Sequence, residues 1–285
     1  MNIEAHAKIN LSLNVVRKRE DGYHELEMIM VPLTLCDHIL LECSMKDHYS
    51  CNIESLLIDE SNTVVKAVKL MKETYGIDQC FSVHMEKHIP MQAGLAGGSA
   101  DAAAVMKGIN ELMHLQIPVQ ELSMLSKQVG ADVPFCIYDT PAVVKGIGED
   151  VRPIPVNMDA MILLVKPAKG VPTGTAFSMI DFSHCEHPDY RMVEDALRLG
   201  DYDCFCKILG NTLEQPAFTI VPEIKEIKQQ MMEFGFDTAL MSGSGSTVFG
   251  ITRDQELANQ CAKEFEKRGH FVCLTSIIKG KNKAI

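Results

Sequence analysis

A loop of small residues, PMQAGLAGGSAD at positions 90–101, is the stretch of this sequence best suited to binding an anion. Gly94, Gly97 and Gly98 permit positive φ and allow close approach to the backbone. The N–H groups at the start of the predicted helix that follows carry partial positive charge. A loop that delivers a helix N-terminus in this way predicts binding of a phosphate group.

The spacing of these glycines differs from the two commonest nucleotide-binding motifs. No Lys-Ser or Lys-Thr pair follows the loop, and the glycines do not have the dinucleotide-binding spacing. A tight packing turn between a strand and a helix is the alternative interpretation. At the helix start, the Ser99 hydroxyl and the Asp101 carboxylate can either cap the helix or bind Mg²⁺.

Polar side chains on the first predicted strand form a second candidate group. Apolar and polar residues alternate over positions 2–15, and residues on one face of a strand stand about 6.7 Å apart. Lys8 and Asn10 can therefore reach one ligand together, although a solvated strand face is the alternative.

Three further polar or aromatic residues lie at predicted turns. Tyr23 and His24 follow the hairpin signal Asp21-Gly22, where cross-strand packing is the alternative role. Asp132 lies at a predicted junction between a helix and an extended segment, because the residue before Pro134 is disfavoured in a helix. A turn or cap residue is the alternative reading of Asp132.

The elements that position these residues follow from hydrophobic periodicity. Predicted strands cover 2–15, 26–30, 81–89, 161–165 and 271–277, and predicted helices cover 62–71, 102–113, 119–129, 192–199, 224–234 and 255–268. Ser61 or Asn62 caps the first helix, 144–149 is a turn between strands, and the Gly/Ser loop at 242–246 separates two apolar runs. The segment 152–155 predicts a connector, which gives domains 1–154 and 155–285, the second of βαβ-type α+β architecture.

Composition indicates an ordinary globular protein with 285 residues, 46% hydrophobic and 23% charged. The net charge of −11 argues against nucleic acid or an anionic membrane as the main partner. The ten cysteines lack the paired spacings of a zinc site, which predicts reduced, mostly buried thiols. No signal-peptide core is present and the longest apolar run, 161–165, is too short to span a bilayer, so a cytoplasmic location is expected.

Four separated segments together resemble the GHMP family of small-molecule kinases: the strand bearing Lys8, the loop 94–101, GADVP at 130–134 and the loop 242–246. AKINLSL at 7–13, followed by REDGYHEL at 19–26, is similar to one branch of that family. The resemblance implies a two-domain α+β fold. Its N-terminal domain would be like domain 2 of ribosomal protein S5, and its C-terminal domain ferredoxin-like.

The same resemblance implies an activity: phosphorylation, with ATP and Mg²⁺, of the 2-hydroxyl of a methylerythritol linked to cytidine diphosphate, a precursor in non-mevalonate isoprenoid synthesis. Lys8 and Asp132 would be catalytic, with Asp132 as the base. Asn10, Tyr23, His24 and Phe177 would bind the substrate, Tyr23 and Phe177 on the two faces of the base and His24 at its edge.

The resemblance also assigns the ATP site. Asn62 would lie near the adenine, Ser99 is a candidate Mg²⁺ ligand, and the phosphate-binding residues would be Pro90, Ala93, Gly94, Leu95, Ala96, Gly97, Gly98, Ser99 and Ala100. This chain departs from the family pattern at three positions, since the family generally has Gly where Gln92 and Ala96 stand and Ser where Ala100 stands.

Three alternative functions compete with this reading. A different GHMP kinase, acting on homoserine, mevalonate or a sugar, is disfavoured by Asp21-Gly22-Tyr23-His24. A non-catalytic nucleotide-binding regulator is disfavoured because it would not need Lys8 and Asp132. An RNA-binding protein is disfavoured by the acidic charge balance. The sequence does not decide between a monomer and a weak homodimer.

Overall fold

The computed structural model describes residues 1–280 and has mixed α+β architecture. The strands are β1 Asn2–Lys18, β2 His24–Ser44, β3 His48–Cys51, β4 Cys80–Glu86, β5 Ala142–Gly146, β6 Asp150–Pro153, β7 Met161–Lys166, β8 Gly210–Asn211, β9 Thr238–Met241, β10 Val248–Thr252 and β11 Phe271–Thr275. The helices are α1 Thr63–Tyr75, α2 Gly97–Leu112, α3 Val119–Ser126, α4 Val133–Tyr138, α5 Thr173–Ser178, α6 Tyr190–Leu199, α7 Tyr202–Ile208, α8 Glu214–Ile220, α9 Glu223–Phe234 and α10 Gln255–Lys267.

The chain divides into two compact units whose segments alternate along the sequence. The first unit contains Met1–Ala7, Leu35–Met91 and Ala96–Asp139, and the second contains Lys8–Thr34, Gln92–Leu95 and Thr140–Ile285. The long strands β1 and β2 each contribute residues to both units.

The first unit is a sheet with the strand order β3-β4-β2-β1 and the helices α1 to α4. β2 and β4 are antiparallel, with His38 opposite Glu86 and Ser44 opposite Cys80, and β3 is parallel to β4. α1 and α2 pack against each other. The buried residues Phe81, Ile39, Leu41, Val68 and Met106 belong to this core.

The second unit contains the strand order β6-β5-β2-β1-β8 and a separate antiparallel sheet with the order β11-β7-β10-β9. The four strands of the separate sheet and the two helices that pack on it occur along the chain in the order β7, α9, β9, β10, α10, β11, with α5 to α8 and β8 inserted after β7. This order is a split βαβ arrangement. α9 packs on β9 and β10, and α10 packs on β7 and β11. The expected ferredoxin-like domain is therefore confirmed, as is the α+β class.

Most predicted elements are present with small changes at their ends, but three segments differ. The strand predicted over 26–30 is much longer, because β2 runs from His24 to Ser44. Residues 133–138 form the helix α4 rather than an extended segment, because proline is tolerated in the first turn of a helix, where its missing N–H costs nothing. The predicted connector begins inside β6, where Pro153 pairs with Ala142 of β5. β3, β8, α5, α7 and α8 were not predicted, since each is too short for a clear periodicity.

No disulfide is formed among residues 1–280, which contain all ten cysteines, and the cysteines are less buried than predicted. Cys136 and Cys261 are buried, Cys43 is exposed, and the other seven are half-buried. Within residues 1–280 no helix is both long and apolar enough to cross a membrane.

Candidate active site

Lys8 lies on β1 with its side chain buried and ordered. It is 3% exposed, and its Nζ donates to Oδ1 of Asn10 at 2.7 Å. Asn10 is also buried, and its Nδ2 lies 3.3 Å from Sδ of Met28. The alternative of a solvated strand face is therefore wrong at these two positions, and a fixed ammonium lies at this point of the second unit.

The segment Gln92–Leu95 is anchored next to Lys8. The N–H of Lys8 donates to the carbonyl of Leu95 at 3.1 Å. A Cβ added to Gly243 would lie 3.2 Å from Nζ of Lys8 and 3.1 Å from the carbonyl oxygen of Gly94. Because Gly243 has no side chain, the segment Gln92–Leu95 and the loop 242–246 can both lie next to Lys8.

Gly94 is required by contact between these loops. It has φ +73°, and a Cβ there would lie 2.1 Å from the carbonyl oxygen of Ser242. Oγ of Ser242 donates to the carbonyl of Gly94 at 3.0 Å, and the N–H of Thr247 donates to the carbonyl of Ala93 at 3.2 Å. The close approach predicted at Gly94 is therefore made by protein backbone.

A buried asparagine holds the Gly/Ser loop and was not predicted as a site residue. Nδ2 of Asn211 donates to the carbonyls of Met241 and Gly243, both at 2.8 Å, and its Oδ1 accepts from the N–H of Leu213. Its position in a two-residue strand gives no periodic signal by which it could have been found from the sequence.

The start of α2 in the first unit offers unsatisfied donors. Ala96 precedes the helix in a left-handed conformation, φ 58°, and no side chain caps this end. The first N–H groups of a helix have no acceptor within it. Among the described residues, the N–H groups of Gly97, Gly98 and Ser99 make no backbone hydrogen bond. These N–H groups are therefore available to bind an anion.

Two departures from the family pattern coincide with left-handed backbone. Gln92 has φ 50° and Ala96 has φ 58°. Glycine adopts this conformation freely, whereas other L-residues pay roughly 1–2 kcal/mol. A left-handed backbone is a conformational reason for the glycines that the resemblance led us to expect here, and this chain adopts that backbone with Gln and Ala at an energetic cost.

Asp101 does not cap α2, and the capping alternative is wrong for it. Its Oδ2 accepts a hydrogen bond from Nζ of Lys87 at 2.5 Å, and Nζ of Lys87 also contacts Oδ2 of Asp37. All three side chains are buried, and Oδ1 of Asp101 has no hydrogen-bond partner among residues 1–280. Burial, opposed by Lys87, raises the pKa of Asp101 to about 7. A Cβ at Gly97 would lie 3.5 Å from Nζ of Lys87, so this cluster adjoins the start of α2.

Asp132 occupies the N-cap position of α4, but its carboxylate does not bond to the N–H groups of that helix. Asn62 does cap its helix: Oδ1 accepts from the N–H of Val64 at 2.9 Å and Nδ2 donates to the carbonyl of Leu57 at 3.3 Å. Its side chain is thus engaged by the start of α1.

An aromatic cluster surrounds His24 in the second unit. The ring of Phe177 lies 4.9 Å from that of His24, and the ring of Phe182, which was not predicted, lies 6.3 Å away and nearly parallel. Tyr23 is 60% exposed. Burial and the nearby charge of Lys18 lower the pKa of His24, so the imidazole is neutral at pH 7.

The predicted site residues are divided between the units. Lys8, Asn10, Tyr23, His24, Phe177 and Ala93 to Leu95 belong to the second, and Asn62, Pro90, Ala96 to Ala100 and Asp132 to the first.

Comparison with known families agrees with these features. The model of the GHMP kinases N terminal domain matches residues 62–140, and that of the GHMP kinases C terminal domain matches residues 193–270. The matched ranges contain the small-residue loop before α2 and the α9–β9–β10–α10 part of the split βαβ arrangement. The chain belongs to the GHMP kinase family.

The relatives that this chain resembles belong to one branch of the family. A 4-diphosphocytidyl-2-C-methyl-D-erythritol kinase from Geobacillus sp. (strain WCH70) is 41% identical over 88% of each chain. The enzyme of that name from Bacillus cytotoxicus is 41% identical over 87% of each. A crystal structure of 4-(cytidine 5'-diphospho)-2C-methyl-D-erythritol kinase has a TM-score of 0.83 and 30% identity, with 98% of this chain and 100% of that chain covered.

Proposed function

We propose that this chain transfers the γ-phosphoryl group of ATP to the 2-hydroxyl of 4-diphosphocytidyl-2-C-methyl-D-erythritol, in the non-mevalonate route to isoprenoid precursors. The observation that carries the proposal is the 41% identity to kinases of that name over 88% of both chains. The segment from Asp21 to His24, beside the aromatic pair His24 and Phe177, favours this acceptor over homoserine, mevalonate or a sugar.

Asp132 is the general base in this proposal and Lys8 is its electrostatic partner. Phosphoryl transfer passes through a loose transition state in most analyses, so positioning and charge neutralisation dominate catalysis. Asp132 accepts the proton of the attacking hydroxyl, and Lys8 stabilises the negative charge that develops on that oxygen. The bond from Lys8 to Asn10 supports this role, because it fixes the ammonium before substrate arrives.

The start of α2 is the proposed phosphate-binding element. The N–H groups of Gly97, Gly98 and Ser99 at the start of this helix make no backbone hydrogen bond and fit an anion. Mg²⁺, when bound with ATP, neutralises charge on the β- and γ-phosphate oxygens. Ser99 is the candidate ligand, whereas Asp101 is engaged with Lys87.

The cytidine base is proposed to lie against aromatic faces with its polar edge towards His24. The tilted contact between His24 and Phe177 leaves an aromatic surface in the second unit, and Phe182 extends it. A neutral imidazole both donates and accepts a hydrogen bond, which suits a nucleobase edge. A base that does not form the hydrogen bonds to His24 would lose about 1–3 kcal/mol of binding free energy.

The domain boundary at 154/155 remains part of the proposal. It is supported by the family matches, which end at residue 140 and resume at residue 193.

Asp132→Asn tests the catalytic assignment. We expect ADP formation with the cytidine substrate to fall about 10²–10⁴-fold, because a general base is lost, with ATP binding retained. ADP release and fluorescent-nucleotide titration measure the two effects. Asp78→Asn, at an exposed position of the same unit, is the matched control and should keep full activity.

An active Asp132→Asn variant would remove Asp132 from the mechanism. The substrate assignment is tested separately, by comparing the cytidine compound with homoserine, mevalonate and galactose on the unmodified protein. Faster turnover of any of these three would overturn it.

A further inference from the structure

A group of three potential metal ligands lies in the first unit and has no part in the phosphoryl transfer proposed above. Glu4, His6 and Cys36 each present one ligand atom, and these atoms all lie within 4.8 Å of one another. Over residues 1–280 it is the one group of three or more His, Cys, Asp or Glu side chains with this proximity.

The strand register brings these side chains to one face. The N–H of Leu41 on β2 donates to the carbonyl of Met1, next to β1. Counting along both strands from that bond places His6 directly opposite Cys36. Directly opposed residues have Cβ atoms about 4.5–5.5 Å apart. Glu4, two residues before His6, shares its face.

A carboxylate orients the histidine. Nδ1 of His6 lies 2.9 Å from Oδ2 of Asp139, and this hydrogen bond places the ring proton on Nδ1 when the imidazole is neutral. The lone pair of Nε2 then faces Glu4, whose Oε2 is 3.3 Å away. A carboxylate behind a histidine ligand is the usual outer shell of a zinc site. Lys107, 3.7 Å from Asp139, balances the charge of that carboxylate.

We propose that Glu4, His6 and Cys36 bind a divalent cation of the zinc type, with water as the fourth ligand. Ligand bonds of about 2.0–2.3 Å place neighbouring donors of a tetrahedral site about 3.4 Å apart, close to the separation of Glu4 and His6. One thiolate and one carboxylate neutralise the cation. A sulfur, nitrogen and oxygen set selects Zn²⁺ or Co²⁺ over Mg²⁺. The Glu4 side chain is 63% exposed, which leaves the site open to an entering ion.

Metal titration of the full chain, after chelation and dialysis, tests the proposal. We expect one Zn²⁺ per chain and, with Co²⁺, the charge-transfer absorption of a cobalt-thiolate bond. Cys36→Ser should abolish that absorption. Cys43→Ser, at an exposed position of the same strand, should retain it. Asp139→Asn should weaken Zn²⁺ binding about 10–100-fold through the lost orientation of His6.

His6→Gln and Glu4→Gln should each weaken binding by at least tenfold, with circular dichroism confirming that the variants fold. Absence of saturable Zn²⁺ binding would overturn the site. Cobalt-thiolate absorption that persists in Cys36→Ser, or disappears in Cys43→Ser, would overturn it equally. These readouts do not involve turnover, so they stand apart from the proposed kinase function.

Discussion

The buried cluster of Lys87, Asp37 and Asp101 has one positive charge against two carboxylates. Oδ1 of Asp37 also accepts hydrogen bonds from the N–H groups of His88 and Ile89. Asp37 therefore has two backbone hydrogen-bond donors that Asp101 lacks. Asp101, with an unpartnered oxygen, is the group on which protonation is least costly.

This cluster predicts a decline in stability with rising pH. The pKa of Asp101 is raised from 3.8 to about 7 by burial, so between these values the folded state holds a proton that the unfolded state has lost. The free energy of unfolding therefore decreases as pH rises through this window. Relative to Asp101→Asn, we expect the unmodified protein to lose about 1–3 kcal/mol between about pH 5 and about pH 7.

Urea unfolding at several pH values measures the difference. Asp78→Asn, exposed in the same unit, is the control and should follow the unmodified protein in parallel. If the free energy of unfolding of Asp101→Asn changed with pH in the same way as that of the unmodified protein, the raised pKa would be contradicted, whatever the absolute stability of that variant.

At the scale of elements, two loops depend on glycine for their mutual contact. The segment Gln92–Leu95 and the β9–β10 loop meet at Gly94 and Ser242, and Asn211 binds the second loop through two carbonyls. Lys8 on β1 bonds to the carbonyl of Leu95, which links the catalytic candidate to the same assembly.

Gly94→Ala should therefore disrupt both loops. A methyl group 2.1 Å from a carbonyl oxygen cannot be accommodated without backbone movement, and φ +73° adds strain. We expect a loss of about 3 kcal/mol or more in the free energy of unfolding, measured by urea denaturation.

Gly76→Ala provides the comparison. Gly76 ends α1 with φ +62° and has open space around it, so only conformational strain of about 1 kcal/mol should result. Equal decreases in the free energy of unfolding of Gly94→Ala and Gly76→Ala would show that the close approach of position 94 to the carbonyl oxygen of Ser242 has no effect on stability.

At the scale of the whole molecule, stability rests on buried apolar side chains without covalent cross-links. All ten cysteines lie within the described residues, and no two of them form a disulfide there. We expect a reducing agent to leave the midpoint of thermal unfolding unchanged within ~1 °C in metal-free buffer. Metal-free conditions matter because Cys36 belongs to the proposed zinc site. A decrease of more than about 4 °C would indicate a stabilising disulfide.

Sequence patterns predicted most of the long elements well and the short ones poorly, although β2, the longest strand, was predicted only over 26–30. β1, α2 and α10 have sustained periodicity. The cap of α1 was predicted to be Ser61 or Asn62, and Asn62 is the residue that caps it. α4 was wrongly read as extended because the restriction before proline outweighed the tolerance of proline in a first helical turn. Five short elements carried no usable pattern.

The amino-acid sequence determined the small-residue loop before α2, the polar pair on β1 and the family, because spacing along a strand or a loop is a local property. Only the tertiary structure decided which partner each polar group has. Asp101 bonds to Lys87 rather than capping α2, Gly94 meets protein backbone, and His6 meets Cys36 and Asp139. These pairings join residues distant in the chain, and burial makes them specific because an unpaired polar group inside the protein is costly.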